Sequence, residues 1–402
     1  MTPGLTRDDG QLKIRLMKGL ELTPVQLLLL LGGIGLLFVL PALSRSLENI
    51  PLRIRPIYRG MVLGLAAVGL NFLLRHADLT SFGHAAFFGT AAYTVAVMVQ
   101  WFNIQSAVVL MAVAITSATL MAVLVGYFTL PHEGLYFALV TLAFGQLAFS
   151  IPVGISELGG TDGLNALTGE AGVAIGEQYP RLGGIFFNGQ EVPNTILFWI
   201  TIVIAVVSLL VMLRLVRSPF GNALDAIGQQ RTRARFLGLP VKRYVWAAFI
   251  ISGIYGGIAG ALYALFFSTS IDPGATLEVF VSGDILYIAI LGGFKTLTGP
   301  FIGGIVFETL SNIASDVVLT GPAGEKEVGR LITGAVLLVI VFAFPSGIVG
   351  SLKPGGRVYE GFRTLIRDPS VLGPWTRQVG AGIVDAGRRA VKNVRILILG
   401  VK

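Results

Sequence analysis

Few residues in this 402-residue chain have the chemistry for catalysis. There is no cysteine and only three histidines, His76, His84 and His132. No histidine pair has the HExxH spacing of a zinc hydrolase, because His132-Glu133 has no second histidine downstream. A GxSxG nucleophile elbow and a Walker A phosphate loop are both missing. Cysteine-based zinc and iron–sulfur centres are excluded, and no metal site is expected. What remains is a scatter of polar groups inside apolar stretches: Asn71, Ser81, His84, Tyr93, Thr141 and Gln146. Polar groups at membrane depth are costly in lipid and turn toward a protein interior or a solute path. Each one equally suits a helix–helix hydrogen bond, worth about 0.6 kcal/mol on average in membranes.

The elements that carry these groups follow from hydropathy. Hydrophobic residues make up 54% of the chain and charged residues 13%, against about 25% charged in a typical soluble domain. Glycine, at 52 residues, suits closely packed membrane helices. A helix needs about 20 apolar residues to cross a bilayer. Charge-free windows of that order lie at 22–44, twice within 79–131, and at 134–156, 192–213, 244–271 and 331–352. Less clean windows lie at 57–74, 279–294 and 300–319. The expected fold is an all-α polytopic membrane bundle of about ten transmembrane helices. A cytoplasmic segment 1–23 precedes a transmembrane domain 24–350, and a basic cytoplasmic tail spans 351–402. The first apolar run, preceded by Lys13, Arg15 and Lys18, resembles a signal peptide in outline, but its core is too long, and a retained helix is expected.

Loop charges give direction. Residues 217–243 carry Arg217, Arg231, Arg233, Arg235, Lys242 and Arg243 against Asp225 alone. The tail carries ten Lys/Arg against three acids. Both belong on the cytoplasmic side, giving N-in and C-in. The loop 155–194 carries five acids against Arg181 and belongs outside. The net charge of +8 is thereby explained by a lipid bilayer rather than by nucleic acid. One loop does not fit: Arg45, Arg53, Arg55 and Arg59, against Glu48, fall on the exterior side. The tail segment 384–399 reads either as an amphipathic helix on anionic lipid or as a solvated tail.

The 217–243 loop reads as a helix from Asn222 to Leu237. Pro219 and Gly221 break the chain before it, and Gly238 and Pro240 stop it afterwards. Ala223, Ala226 and Ala234 allow close docking. Asp225 near its start and Arg231, Arg233 and Arg235 near its end match the helix dipole. Such a helix fits a groove on a soluble partner, and composition alone does not separate it from an ordinary basic loop.

The segments SPFGNALDAIGQQ, RTRARFLGLPVKRY and AAFIISGIYGGIAGALYA resemble the coupling loop of ABC importer permeases of the branched-chain amino acid family (LivM type). The resemblance continues through LNFLLRHADLTSFGHAAFFGTAAYT, GLYFALVTLAFGQ, GGTDGL, ILYIAILGGFKTLTGPFIGG and VFAFPSGIVGSL, in the family's order over about residues 60–350. Departures are Ala-Leu-Asp-Ala where the family has Glu-Ala-Ala, Pro131-His132-Glu133-Gly134 where relatives have a basic residue, and Phe82 for leucine. The resemblance implies a transmembrane permease subunit of an ATP-driven importer for branched-chain or related small amino acids in a prokaryotic cytoplasmic (inner) membrane. It implies a second homologous permease chain, two ATP-binding subunits and an extracytoplasmic substrate-binding protein. ATP and Mg would be bound by those subunits, with no cofactor and no catalysis in this chain. It places Ala223, Asp225, Ala226, Arg231, Arg235 and Gly238 at the ATPase contact, and Asn71, Ser81, His84, Tyr93, Thr141 and Gln146 near the translocation path. The alternative is an ATPase-independent secondary transporter or channel for a small polar solute, which leaves the 217–243 loop without a role.

Overall fold

The computed structural model describes residues 54–164 and 194–315, apart from 103, 105, 267–269 and 295, together with strands within 4–22 and 318–327 and parts of 333–351. The bundle runs α1 (Ile54–Ala77), α2 (His84–Phe102), α3 (Ala107–Thr129), α4 (Gly134–Gly154), α5 (Asn194–Val216), α6 (Pro219–Gln229), α7 (Arg231–Phe236), α8 (Val241–Phe266), α9 (Pro273–Thr276), α10 (Val279–Gly292), α11 (Gly299–Ser315) and α12 (Ile348–Ser351). Among the described residues, seven helical stretches are long and apolar enough to cross a membrane: Arg55–Ala77, His84–Phe102, Ala107–Thr129, Gly134–Gly154, Phe198–Val216, Val241–Leu265 and Pro273–Gly292. The 17-residue α11 falls where the ninth span is expected. The first expected span, 22–44, lies outside the described residues beyond Leu22, as do half of the tenth, 331–352, and the tail beyond Ser351. The described residues also form two small antiparallel sheets: β1 (Gly4–Asp8), β2 (Gln11–Met17) and β3 (Leu20–Leu22), and the hairpin β4 (Val318–Gly321) and β5 (Gly324–Glu327).

Helix α1 is the most buried span and α8 the next. α1 packs on α11 and α8, and α8 on α2 and α3. Small residues bring these axes together, as the glycine content suggests. On α3, Ala114, Ala118 and Ala122 are fully buried at i, i+4, i+8. A Cβ on Gly253 of α8 would lie 2.4 Å from the Ala122 methyl, and one on Gly257 2.6 Å from that of Ala118. On α1, Gly60 and Gly64 form a GxxxG step that receives α11 backbone to backbone.

The outward faces of α3 and α5 are apolar for most of their length. Trp199, Val203, Val207, Leu210 and Val211 line one stripe of α5. Thr116, exposed on α3, satisfies its hydroxyl on the Ala112 carbonyl. These surfaces suit lipid.

The misfit basic loop is partly accounted for. Arg55 and Arg59 are inside α1, and Arg59 lies 3.6 Å from the Glu308 carboxylate, which is buried in α11. A paired arginine inside the bundle no longer counts as loop charge. At the opposite end of α1, the carboxyl terminus of the helix meets α6 and α7.

Candidate functional site: the 217–243 segment and the polar core behind it

The 217–243 segment is two helices, which corrects the expected single helix from Asn222 to Leu237. α6 and α7 meet at Gln230, whose backbone is extended (φ −160°, ψ 96°). Pro219 does not break the chain ahead of the helix. It occupies the first turn, where no intrahelical donor is lost, and the Ser218 Oγ caps it by accepting from the Gly221 amide at 3.4 Å. Gly221 is likewise helical and buried, because a Cβ there would strike the Val216 carbonyl.

One face of α6, formed by Gly221, Leu224 and Ile227, is buried. It seats on the end of α1 and the end of α5. Asp225 turns back toward α1 and pairs with His76 Nδ1. Ala223 is half-buried and Ala226 exposed. Ala234, read as a docking residue, faces inward and is buried. Arg231 donates from Nη2 to the Ala77 carbonyl at 3.2 Å and pairs through Nη1 with Glu133 Oε1 at 2.9 Å. Arg235 reaches the same carboxylate at 3.5 Å. The helix stop is where the sequence places it. Gly238 has φ +80°, and its amide donates to the Arg235 carbonyl at 2.9 Å. Just before it, Phe236 and Leu237 are 88% and 74% exposed. These two adjacent large apolar residues form an exposed tip on the basic helix pair.

The polar residues fall into two groups. Asn71, Ser81, His84 and Thr141 are fully buried, and the last three sit at one structural feature, the non-helical segment 78–83 between α1 and α2. His84 Nε2 is 2.6 Å from the Ser252 Oγ, eleven residues into α8, or about 16 Å along that helix. The segment therefore runs at membrane depth, where irregular backbone persists only if protein satisfies it. Hydroxyls do so here. Phe82 N donates to Thr141 Oγ1 at 3.2 Å, Gly83 N to Ser81 Oγ at 3.3 Å and Ala85 N to Ser282 Oγ at 2.8 Å. Asn71 Nδ2 donates to the Thr296 carbonyl at 3.0 Å. Tyr93 is buried, with its hydroxyl unbonded among the described residues.

Gln146 differs from all of these. It faces outward on α4, on the stripe of Ala143, Leu147 and Ser150. Ser150 bonds back to the Leu147 carbonyl, whereas the Gln146 amide has no hydrogen-bond partner among the described residues. Those residues also contain no cluster of three or more His, Asp or Glu that could hold a metal ion.

Sequence reasoning missed His76, Glu133, Ser252 and Ser282. His76 and Glu133 were within reach. Counting spans puts the Pro131–Gly134 turn and the 217–243 loop on the same side, so an acid in the turn has basic partners there. The two serines lie on apolar helices, and no linear pattern marks them.

Residues 53–341 match the family described as "Branched-chain amino acid transport system / permease component". The high-affinity branched-chain amino acid transport system permease protein LivM of Escherichia coli (strain K12) is 25% identical over 313 residues, covering 75% of this chain and 71% of the relative. LivH of the same organism is 24% identical over 168 residues, covering 41% of this chain and 50% of LivH. The nucleoside ABC transporter permease protein NupC of Lactococcus lactis subsp. cremoris (strain MG1363) is 26% identical over 151 residues, covering 38% and 44%. No solved structure matches. With its membrane helices and the match spanning most of its length, the chain belongs to the branched-chain amino acid transport system permease family and is a permease subunit of an ABC importer.

Proposed function

We propose that this chain forms half of a translocation path for a branched-chain or related small amino acid, completed by a second homologous permease chain and driven by two ATP-binding subunits. A substrate-binding protein on the exterior side delivers the solute. The observation that carries the reading is the α6–α7 pair: seated on α1, braced by Glu133, and presenting Phe236, Leu237 and the Ala226 face to solvent. That surface docks to an ATPase subunit, with Arg231 and Arg235 holding its shape and Gly238 returning the chain to the membrane. Asp225 serves the seat rather than the contact.

The path runs along the outward face of α4. An unpartnered amide in lipid is costly, so Gln146 faces solute or the second permease. Ser81, His84 and Thr141 fix segment 78–83 behind that face, Asn71 ties α1 to the Thr296 carbonyl, and Tyr93 lies in the adjoining wall. The membrane is the prokaryotic inner membrane, with the α6–α7 end cytoplasmic and both termini on that side.

Purification of the tagged chain from native membranes should bring down ATP-binding subunits. Vesicles holding that complex should take up leucine, isoleucine or valine in preference to glutamate, urea or a nucleoside. A chain recovered without ATPases would defeat the importer reading, and preference for a nucleoside would redirect the substrate. Because the chain has no cysteine, a single Cys at Gln229 should resist an impermeant thiol reagent in intact cells. One at Gln178, outside the described residues, should react. The reverse pattern would invert the orientation.

A further inference from the structure

We propose that His76 and Glu133 are positioning residues that fasten α6–α7 to two separate membrane elements, so that motion imposed on the helix pair reaches segment 78–83. The inference rests on the importer reading above and deepens it.

The first fastening is to α1. Gly228 lies over the last turn of that helix so closely that a Cβ there would sit 2.5 Å from the His76 carbonyl oxygen. The His76 ring, 1% exposed, pairs with Asp225 one turn earlier on α6. The Ala77 carbonyl belongs to the set that the end of a helix leaves without an intrahelical donor, and Arg231 donates to it. Cationic side chains stabilise such helix ends. At Asp78 the chain leaves the helix with φ +52°, a left-handed conformation that aspartate tolerates better than most residues. α6 and α7 thus hold α1 by the His76 side chain and the Ala77 carbonyl, with Gly228 packed closely over the His76 carbonyl.

The second fastening is to the α3–α4 turn. Glu133 pairs with Arg231 at 2.9 Å and with Arg235 at 3.5 Å. Arg231 is only 16% exposed, so its pair is more shielded than an ordinary surface pair. One guanidinium therefore joins α1 to the turn that starts α4.

Both fastenings lead to the same place. Segment 78–83 begins where α1 ends and is bonded to α4 through Thr141 and followed by a bond to α10 through Ser282. A displacement of α6–α7 that carries the end of α1 with it must move this segment or strain its hydroxyl bonds. Spatial continuity alone does not demonstrate coupling; perturbation of the two tethers does.

The test uses the whole complex in proteoliposomes with loaded binding protein, reading solute taken up per ATP hydrolysed. Glu133→Ala and His76→Ala should each lower that ratio at least fivefold in assembled complex. Glu133→Gln, which keeps an acceptor for Arg231, and His76→Gln, which keeps a donor for Asp225, should recover part of it. A role confined to folding would reduce the amount of assembled complex and leave the ratio alone. If His76→Ala does not assemble, Glu133→Ala decides, since Glu133 is more than half exposed and its loss leaves the bundle intact. An unchanged ratio in Glu133→Ala overturns the inference while the importer reading stands. Absence of ATPase subunits from the wild-type complex overturns both.

Discussion

Gly304→Val is expected to prevent the permease from assembling. Gly304 sits on α11 where that helix crosses α1, and a Cβ there would lie 2.2 Å from the Gly60 carbonyl oxygen and 2.7 Å from the Gly64 Cα. Both are backbone atoms of the most buried helix in the bundle, so no side chain can rotate aside. The neighbouring Gly303 meets α10 in the same way, its Cβ position 2.6 Å from the Gly292 amide nitrogen and the Ile288 carbonyl oxygen. α11 is therefore wedged between two helices and cannot escape one by leaning on the other. Overpacking a core typically costs about 1–3 kcal/mol, and a backbone-on-backbone site with no relief belongs at the top of that range or above it. The Arg59–Glu308 pair, one turn along α11, would separate as well. Glu308 is buried, and a buried carboxylate separated from its partner adds to that cost. Gly283→Ala is the control: its added methyl would meet only a Tyr287 ring carbon, at 3.9 Å. Thermal unfolding of the detergent-solubilised complex should show Gly283→Ala near wild type and Gly304→Val absent or unfolding far earlier. A Gly304→Val complex as stable as wild type would mean that α1 and α11 do not cross this closely.

Much of this arrangement is legible in the sequence because the bilayer constrains it. Span positions follow from charge-free windows, and the helix stop at Gly238 follows from a glycine-then-proline pattern that few other structures tolerate. Three things are not legible. The break at Gln230 divides a stretch whose every residue suits a continuous helix, and it arises from how α6 and α7 are separately seated. The inward turn of Asp225 depends on His76, 149 residues earlier in the chain. The division of the polar residues depends on which way each helix face points. Asn71, His84 and Thr141 read alike with Gln146 in sequence, yet three are fully buried and one faces out. Helix rotation about its own axis is set by close small-residue contacts such as Gly83 against Thr141. Nearly uniform apolar helices like α4 carry almost no periodicity to reveal that rotation.

Gly228→Val is expected to uncouple the transporter without unfolding it, and Gly238→Val to do so less completely. The two glycines bracket the same helix pair but are required for different reasons. At Gly228 the issue is space. The added side chain would enter the His76 carbonyl at 2.5 Å, lifting α6 from α1 and breaking the Asp225–His76 and Arg231–Ala77 contacts together. At Gly238 space is open, with nothing within 4 Å of the Cβ position. The difficulty there is φ +80°, which costs a β-branched residue roughly 1–2 kcal/mol. That strain shifts the exit of α7 and leaves the seat of α6 intact. Asparagine tolerates the left-handed region, so Gly238→Asn should behave nearly as wild type while Gly228→Asn should be as damaging as Gly228→Val. The bundle spans should survive in all four variants, because α6 and α7 lie at one end of it. In reconstituted complex, binding-protein-stimulated ATP hydrolysis and uptake should fall at least tenfold in Gly228→Val, equivalent to about 1.4 kcal/mol, and by a smaller factor in Gly238→Val. Full stimulation and uptake in Gly228→Val would show that α6 does not need its seat on α1, and the proposed route from ATPase to membrane would be wrong.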